Sequence, residues 1–252
     1  MQSIIQIDAL SYQYPDGTVA LDGISCQIQR GESVAVIGAN GAGKSTLLAH
    51  LVGLLTPQQG QIRIGDHALT QQTLAPIRRL VGMVFQNPDD QLFMPTVWED
   101  VAFGPLNLGL TDDEVNQRAT KALAQVGALA LRTRAPYKLS GGQKRAVSLA
   151  AVLAMQPEIL VMDEPSAGLD SASRRQLINL FLTLEQTRVI VSHDLDLILD
   201  TCPRTIILKN ARLLADGPSS VLLQDDKLLA AAGLEKPLRF QDCPLCKSRQ
   251  HA

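Results

Sequence analysis

The sequence predicts an α/β fold with a mostly parallel core sheet and an inserted helical subdomain. Three observations carry this reading. An apolar, strand-like run, Val34-Ala35-Val36-Ile37, leads directly into Gly38-Ala39-Asn40-Gly41-Ala42-Gly43-Lys44-Ser45-Thr46, which has the spacing G-x-x-x-x-G-K-S, and the apolar residues Leu47, Leu48, Leu51 and Val52 follow at helical spacing. Beyond Pro157, strand-like segments (159–162, 188–192, 205–208) alternate with helix-like ones (172–184, 195–200), the signature of parallel strands joined by crossover helices. Between these two regions, residues from about 87 to 155 read as helices, so a helical subdomain interrupts the sheet.

The elements follow in order. Residues 2–8 and 18–29 alternate or run apolar and read as strands, with Pro15-Asp16-Gly17 as the turn between them. Residues 44–53 form the helix after the glycine-rich loop and stop near Gly53. Gly60–Ile64 and Leu80–Phe85 are strand-like. Thr111 and Glu114 make a capping box, and Val115, Ala119, Ala122, Leu123 and Val126 line one face of the helix they start, which ends at Gly127. Another helix opens near Ser140-Gly141. We expect one domain over residues 1–225 and a tail over 226–252, whose last twenty or so residues are polar, carry two prolines and read as loosely attached.

Bulk properties exclude several classes. The 252 residues are enough for one large core, and 46% apolar content is ordinary for a globular chain. A net charge of −2 without a long basic run argues against a nucleic-acid partner. No apolar stretch approaches the ~20 residues of a membrane helix, and the longest, Ala146–Met155, is interrupted by Ser148. The start, Met1-Gln2-Ser3-Ile4, lacks the basic-then-apolar pattern of a leader peptide, so a cytosolic location is expected. Cys26 and Cys202 read as small core residues. Cys243-Pro244-Leu245-Cys246 has the spacing of a zinc half-site, but with His251 it offers only three donors, so free thiols in a tail are the expected state.

The glycine-rich loop explains its own composition. Glycines let backbone N–H groups turn inward around phosphates without a Cβ clash. Asn40, Gly41, Gly43 and Thr46 frame the cradle, Lys44 can reach the β- and γ-phosphates, and the Ser45 hydroxyl can bind Mg²⁺. The following helix aims its N-terminal dipole at the same anion. Asp163 ends the apolar run Ile159–Met162, where a parallel sheet places ligands, and suits Mg²⁺ directly or through water. Glu164 beside it suits a general base for the attacking water.

Four segments then appear in a telling order: Gln86 after Val84-Phe85; Leu139-Ser140-Gly141-Gly142-Gln143; Asp163-Glu164-Pro165 with Ser166-Ala167-Gly168-Leu169-Asp170; and Ser192-His193-Asp194 after Val189–Val191. Over about residues 1–225 the chain resembles the ATP-binding cassette (ABC) ATPases, which implies a P-loop NTPase fold, α/β with a mostly parallel core sheet, an antiparallel β subdomain and an inserted helical subdomain. The resemblance implies that His193 contacts the γ-phosphate and that Gln86 senses Mg²⁺ and water and links the site to the helical subdomain. It further implies a head-to-tail dimer, in which Ser140, Gly141, Gly142 and Gln143 of one subunit close over the γ-phosphate held by the other's Lys44, with Asp170 at the seam. Tyr14 is the expected platform for the adenine ring, with Tyr12, on the same strand face, as the competing candidate. His50, His67 and His251 lack such context and are expected at the surface.

Residues Phe85–Phe93 and Thr96–Pro105, with Lys144-Arg145 and Val152–Pro157, are similar to the ATPases of energy-coupling factor importers, which take up cobalt, nickel or vitamins. The implied partners are a related ATPase, as homodimer or heterodimer, and a transmembrane coupling subunit, with membrane contact at the cytoplasmic face only through partners. Residues 86–105 would form much of the groove for a coupling helix; Leu92, Phe93 and Trp98 either line it or pack inside the helical subdomain. Ser166 stands where many relatives have Thr, a mild change. Import of a transition-metal ion is the leading reading; a vitamin importer and a non-transport ABC ATPase are the alternatives.

Overall fold

Strand alternation builds two cores on either side of one sheet. In the computed structural model, which describes residues 3–241, the first half of the chain holds β1 (Ser3–Gln13), β2 (Val19–Gln29), β3 (Ser33–Ile37), α1 (Lys44–Leu51), β4 (Gln59–Ile64), β5 (His67–Ala68), α2 (Leu74–Leu80) and β6 (Val81–Val84). The helical insertion holds α3 (Val97–Asn107), α4 (Asp112–Gln125) and α5 (Gly141–Leu153). Next come β7 (Ile159–Asp163), α6 (Ser171–Thr183), β8 (Thr187–Val191), α7 (Leu195–Thr201), β9 (Arg204–Lys209), β10 (Arg212–Pro218), α8 (Ser219–Leu222) and α9 (Asp226–Ala232). One sheet runs β10-β9-β3-β8-β7-β6, and every pairing except the β10–β9 edge is parallel. The other runs β2-β1-β4-β5 and is antiparallel throughout.

Successive side chains on a strand point to opposite faces. Val34, Val36, Val189, Val191, Ile206 and Leu208 therefore face the antiparallel sheet and α1. Ala35, Ile37, Leu160, Met162, Ile190 and Ile207 face α5, α6, α7 and the helical insertion. Helix α1 thus lies between the two sheets, its Leu47, Leu48 and Leu51 fully buried there. Both faces of β3, β7 and β8 are covered, which is why these strands read as continuous apolar runs.

Local capping fixes the helix starts. Thr96, Thr111, Ser140, Asp170 and Asp194 each accept a bond from a backbone N–H of the following helix's first turn. The capping box at Thr111–Glu114 is present, and a second one joins Ser140 to Gln143.

The structure corrects two expectations here. Residues 226–241 are not a loose tail: Leu229 and Ala232 of α9 are buried in the larger core, Asp225 caps the helix, and Gly233 ends it at φ 70°. Arg239 then ion-pairs with Asp196 and Asp200 on α7. The polar composition hid this because the partners lie some forty residues upstream. His50 is not a surface residue either. It is fully buried on α1, one turn after Thr46, whose carbonyl accepts a hydrogen bond from Nδ1 at 2.8 Å. Cys26 and Cys202 are buried thiols, as expected. Cys243, Cys246 and His251 lie outside the described residues.

Candidate nucleotide site

The glycine-rich loop has no room for side chains at two of its turns. Gly43 sits at φ 105°, and a Cβ there would come within 2.4 Å of the Ala20 carbonyl. A Cβ on Gly38, at φ 154°, would meet the Leu208 carbonyl at 2.3 Å. The loop is therefore wedged between β2 and β9, and its course is set by backbone contacts that any larger residue would break. Lys44 is buried and donates from Nζ to the carbonyls of Gly38 and Ala39 at 2.7 and 3.0 Å. Burial holds its ammonium below the usual lysine range, against the pull of Glu164 and Asp163.

A cavity of about 700 Å³ opens over this loop. From the loop and α1 it receives Asn40, Gly41, Gly43, Lys44, Ser45 and Thr46; from the sheet edge it receives Gln86, Asp163, Glu164 and His193. Tyr14 forms its outer wall, with the hydroxyl 3.0 Å from Thr46 Oγ1. Sequence elements spread over 180 residues thus converge on one space, because the parallel strands β3, β7 and β8 end at the same edge.

The acids are tuned by that edge. Asp163 closes β7 opposite Val191, and burial raises its carboxyl above the usual range despite Lys44. Glu164 follows at φ 47°, a left-handed conformation rare for a non-glycine residue. Its own N–H, donating to Val191 O at 2.9 Å, holds it there. Its Oε2 accepts from His193 N at 3.1 Å, and Oε1 lies 3.6 Å from His193 Nε2. Burial raises the Glu164 carboxyl as well, with the hydrogen bond from His193 opposing. Glu164 Oε1 is buried without a hydrogen-bond partner among the described residues. The Ser45 hydroxyl, the Gln86 amide and the Asp163 carboxylate line the same cavity, a hard-oxygen donor set that fits Mg²⁺.

Two further side chains buttress this geometry without having been expected at the site. Arg145, on α5, is 4% exposed and donates to the carbonyls of Phe85 at 2.7 Å, Gln86 at 2.6 Å and Ala167 at 3.4 Å. It ties the Gln86 loop to the helix that Ser140 starts; the sequence marked it only as part of the family-like Lys144-Arg145 pair, with no role attached. Arg174 on α6 lines the cavity and forms a two-pronged pair with Asp194, at 2.5 and 2.7 Å. That pairing fixes the turn after His193 and spans twenty residues, so no local pattern announces it.

Ser140, Gly142 and Gln143 do not reach the Lys44 cavity. They line a separate groove between α5 and α6. A Cβ on Gly142 would lie 2.7 Å from Ser173 Oγ, and Ser173 in turn donates to Asp170 from N at 2.8 Å and from Oγ at 3.2 Å. Gly141 has open space around it. Within one chain, then, Asp170 and the Ser140–Gln143 turn form one exposed cluster, and the phosphate loop is elsewhere.

The family profile described as ABC transporter matches residues 21–167. The chain is an ABC transporter ATPase. The "Putative ABC transporter ATP-binding protein GSU1281" of Geobacter sulfurreducens is 56% identical over 96% of this chain and 98% of its own length. The energy-coupling factor transporter ATP-binding protein EcfA of Methanothermobacter thermautotrophicus is 48% identical, covering 93% of this chain and 77% of its own. The cobalt import ATP-binding protein CbiO of Rhodobacter capsulatus is 46% identical over 99% of this chain and 90% of its own. Among solved structures, cbiO1 from Clostridium perfringens, part of the ABC transporter complex cbiONQ, superposes with a TM-score of 0.83 at 33% identity, over all of both chains. A dimeric ATP-binding cassette in a post-hydrolysis state with ADP and Pi matches with a TM-score of 0.77 at 28% identity, over 85% of this chain and 98% of that one. In this ABC ATPase, Lys44, Asp163, Glu164 and His193 converge on one cavity.

Proposed function

We propose that this ABC ATPase powers import of a small solute, a transition-metal ion such as Co²⁺ or Ni²⁺, through an energy-coupling factor transporter. The observation that carries the hydrolytic half is the Asp163–Glu164–His193 cluster facing the lysine and glycine loop across one cavity. Lys44 and the loop N–H groups bind the triphosphate, and Tyr14 carries the adenine. Ser45, Gln86 and Asp163 would hold Mg²⁺, which supplies charge neutralisation at the phosphates when bound. Glu164 accepts a proton from water as its oxygen bonds to the γ-phosphorus, while the bond to the bridging oxygen breaks and ADP leaves. Burial raises the affinity of Glu164 for a proton, which makes its carboxylate a stronger base for that task. His193 orients the water and the γ-phosphate.

The lid over the γ-phosphate comes from a second subunit. Support lies in the separation just described: a serine–glycine helix start with open space around Gly141, exposed on the chain that does not use it. A dimer, of this chain or with a related ATPase, brings Ser140–Gln143 and Asp170 to the partner's Lys44. The metal reading draws on the CbiO relative and the cbiONQ-derived structure. Among the described residues no helix is long and apolar enough to cross a membrane, so contact with the bilayer is assigned to partner subunits at the cytoplasmic face. Phe93, 64% exposed and edge-on to Phe103 at 5.1 Å, suits the wall of a coupling-helix groove. Leu92 is buried in the core instead, and Trp98 is half-buried under the Arg132 guanidinium.

Co-purification with the natural membrane subunits, reconstitution into liposomes and ATP-driven uptake of Co²⁺, Ni²⁺ and vitamins tests the whole reading. Metal uptake that stops with Lys44→Ala supports it. Uptake of vitamins alone replaces the metal assignment, and hydrolysis stimulated by DNA or ribosomes refutes a transport role.

A further inference from the structure

The burial of His50 leaves a titratable ring in the core that the chemistry above does not use. Its neighbours form a closed circuit. The His50 ring meets Tyr12 edge-on, with centroids 4.9 Å apart at 79°. Tyr12 meets Tyr14 in the same way, at 5.2 Å and 87°. The Tyr14 hydroxyl lies 3.0 Å from Thr46 Oγ1, and the Thr46 carbonyl accepts from His50 Nδ1 at 2.8 Å. Thr46 and His50 are one helical turn apart on α1, the helix that Lys44 begins.

Tyr14 needs such support. It lies just past the end of β1, the residue is 37% exposed, and its backbone is held by the turn in which its N–H donates to Thr18 O. An exposed ring on a turn would rotate freely, and a rotating ring makes a poor stacking surface. The edge of Tyr12 sets the plane of Tyr14, and His50 backs Tyr12 from below. Edge-to-face pairs at these separations are the favoured aromatic geometry. Burial lowers the proton affinity of His50, so the ring packs as a neutral group.

We propose that Tyr12 and His50 are positioning residues for purine recognition: they lock the Tyr14 platform to α1, so that base and triphosphate are gripped in fixed register by one helix. This rests on the reading of Tyr14 as the adenine platform. Its consequence is specific. Loosening the circuit weakens binding of a nucleotide, which has a base, and leaves binding of inorganic tripolyphosphate, which has none, unchanged.

The experiment measures equilibrium binding of ATP and of tripolyphosphate, each with Mg²⁺, to the full chain and its variants. For Tyr12→Leu and His50→Leu we expect the ATP Kd to rise roughly three- to tenfold while the tripolyphosphate Kd stays within about twofold. Tyr12→Phe, which keeps the ring, should match the parent in both. Thermal unfolding checks each variant, and His50→Gln substitutes if the leucine variant fails to fold. Equal weakening of both ligands would mean a merely structural role and overturns the proposal, as does no weakening of either. Tyr14→Ala separates the two readings. If it changes the ATP-to-tripolyphosphate ratio and the Tyr12 and His50 variants do not, the support circuit is wrong; if it leaves that ratio unchanged, the platform itself is misassigned.

Discussion

Replacing Arg145 with methionine removes a guanidinium of similar length and keeps the apolar stem. Two strong bonds disappear, to Phe85 O at 2.7 Å and Gln86 O at 2.6 Å, with a weak third to Ala167 O at 3.4 Å. Charged donors to carbonyls contribute about 1.5–3 kcal/mol each, so the gross loss is ~3–6 kcal/mol. Removing a charge that is 4% exposed relieves a desolvation penalty of several kcal/mol, which offsets much of that. The same penalty is visible in the lowered proton affinity of this guanidinium. A net effect of about 2 kcal/mol remains, concentrated on the Gln86 loop, or roughly thirtyfold in the population of its ordered form. Urea unfolding should show the small loss in global stability, and ATP turnover should fall by one order of magnitude or more because Gln86 no longer faces the cavity. Arg145→Lys should rescue stability only in part, since an ammonium cannot reach several carbonyls as a planar fork does. If Arg145→Met hydrolysed ATP at the parent rate with an unchanged urea midpoint, the assignment of this side chain as the tie between α5 and the Gln86 loop would be wrong.

Other substitutions probe separate parts of the argument. Glu164→Gln should abolish turnover and accumulate an ATP-bound dimer on size-exclusion chromatography; normal hydrolysis would remove Glu164 from its role. The same variant has a pH signature. The folded-state pKa of Glu164 is raised, so its ionised form penalises folding above that pKa, and the penalty fades as pH falls through it. Glu164→Gln should therefore raise the melting temperature at pH 7, by an increment that shrinks toward acid, and melting curves between pH 4 and 8 read this directly. Gly43→Ala puts a Cβ 2.4 Å from Ala20 O at φ 105°, and nucleotide affinity should drop by at least about tenfold, measured by ATP titration. Leu229→Ala, in a side chain 1% exposed, should destabilise by about 2–4 kcal/mol in urea unfolding if α9 belongs to the core; a change under about 0.5 kcal/mol would return residues 226–241 to the status of a tail.

Much of the site was legible in the chain because its parts are contiguous. A glycine-rich loop between an apolar strand and an apolar helix carries its own turn chemistry, and Asp163-Glu164 and His193 announce themselves as polar residues at the ends of buried strands. Thr111 with Glu114 is a capping box closed within four residues, so sequence alone announces it, while Ser140 was legible as a helix start but its box with Gln143 emerged only in the structure. Strand period likewise assigns Val34 and Val36 to one face and Ala35 and Ile37 to the other, though not what covers each face.

What the sequence by itself determined is the local chemistry: the phosphate cradle, the acid pair, the helix starts and the alternation that builds a parallel sheet. Tertiary structure alone decided every feature whose partners are distant along the chain. It buried His50 beneath Tyr12, sent Leu92 inward while leaving Phe93 exposed, and joined Arg145 to Gln86 and Arg174 to Asp194. It also pinned residues 226–241 to α7 through Arg239 and set Ser140–Gln143 apart from Lys44. Periodicity and capping are enforced by bonds between near neighbours, whereas burial and long-range ion pairs are choices among many partners of similar chemistry, and only the packed chain makes them.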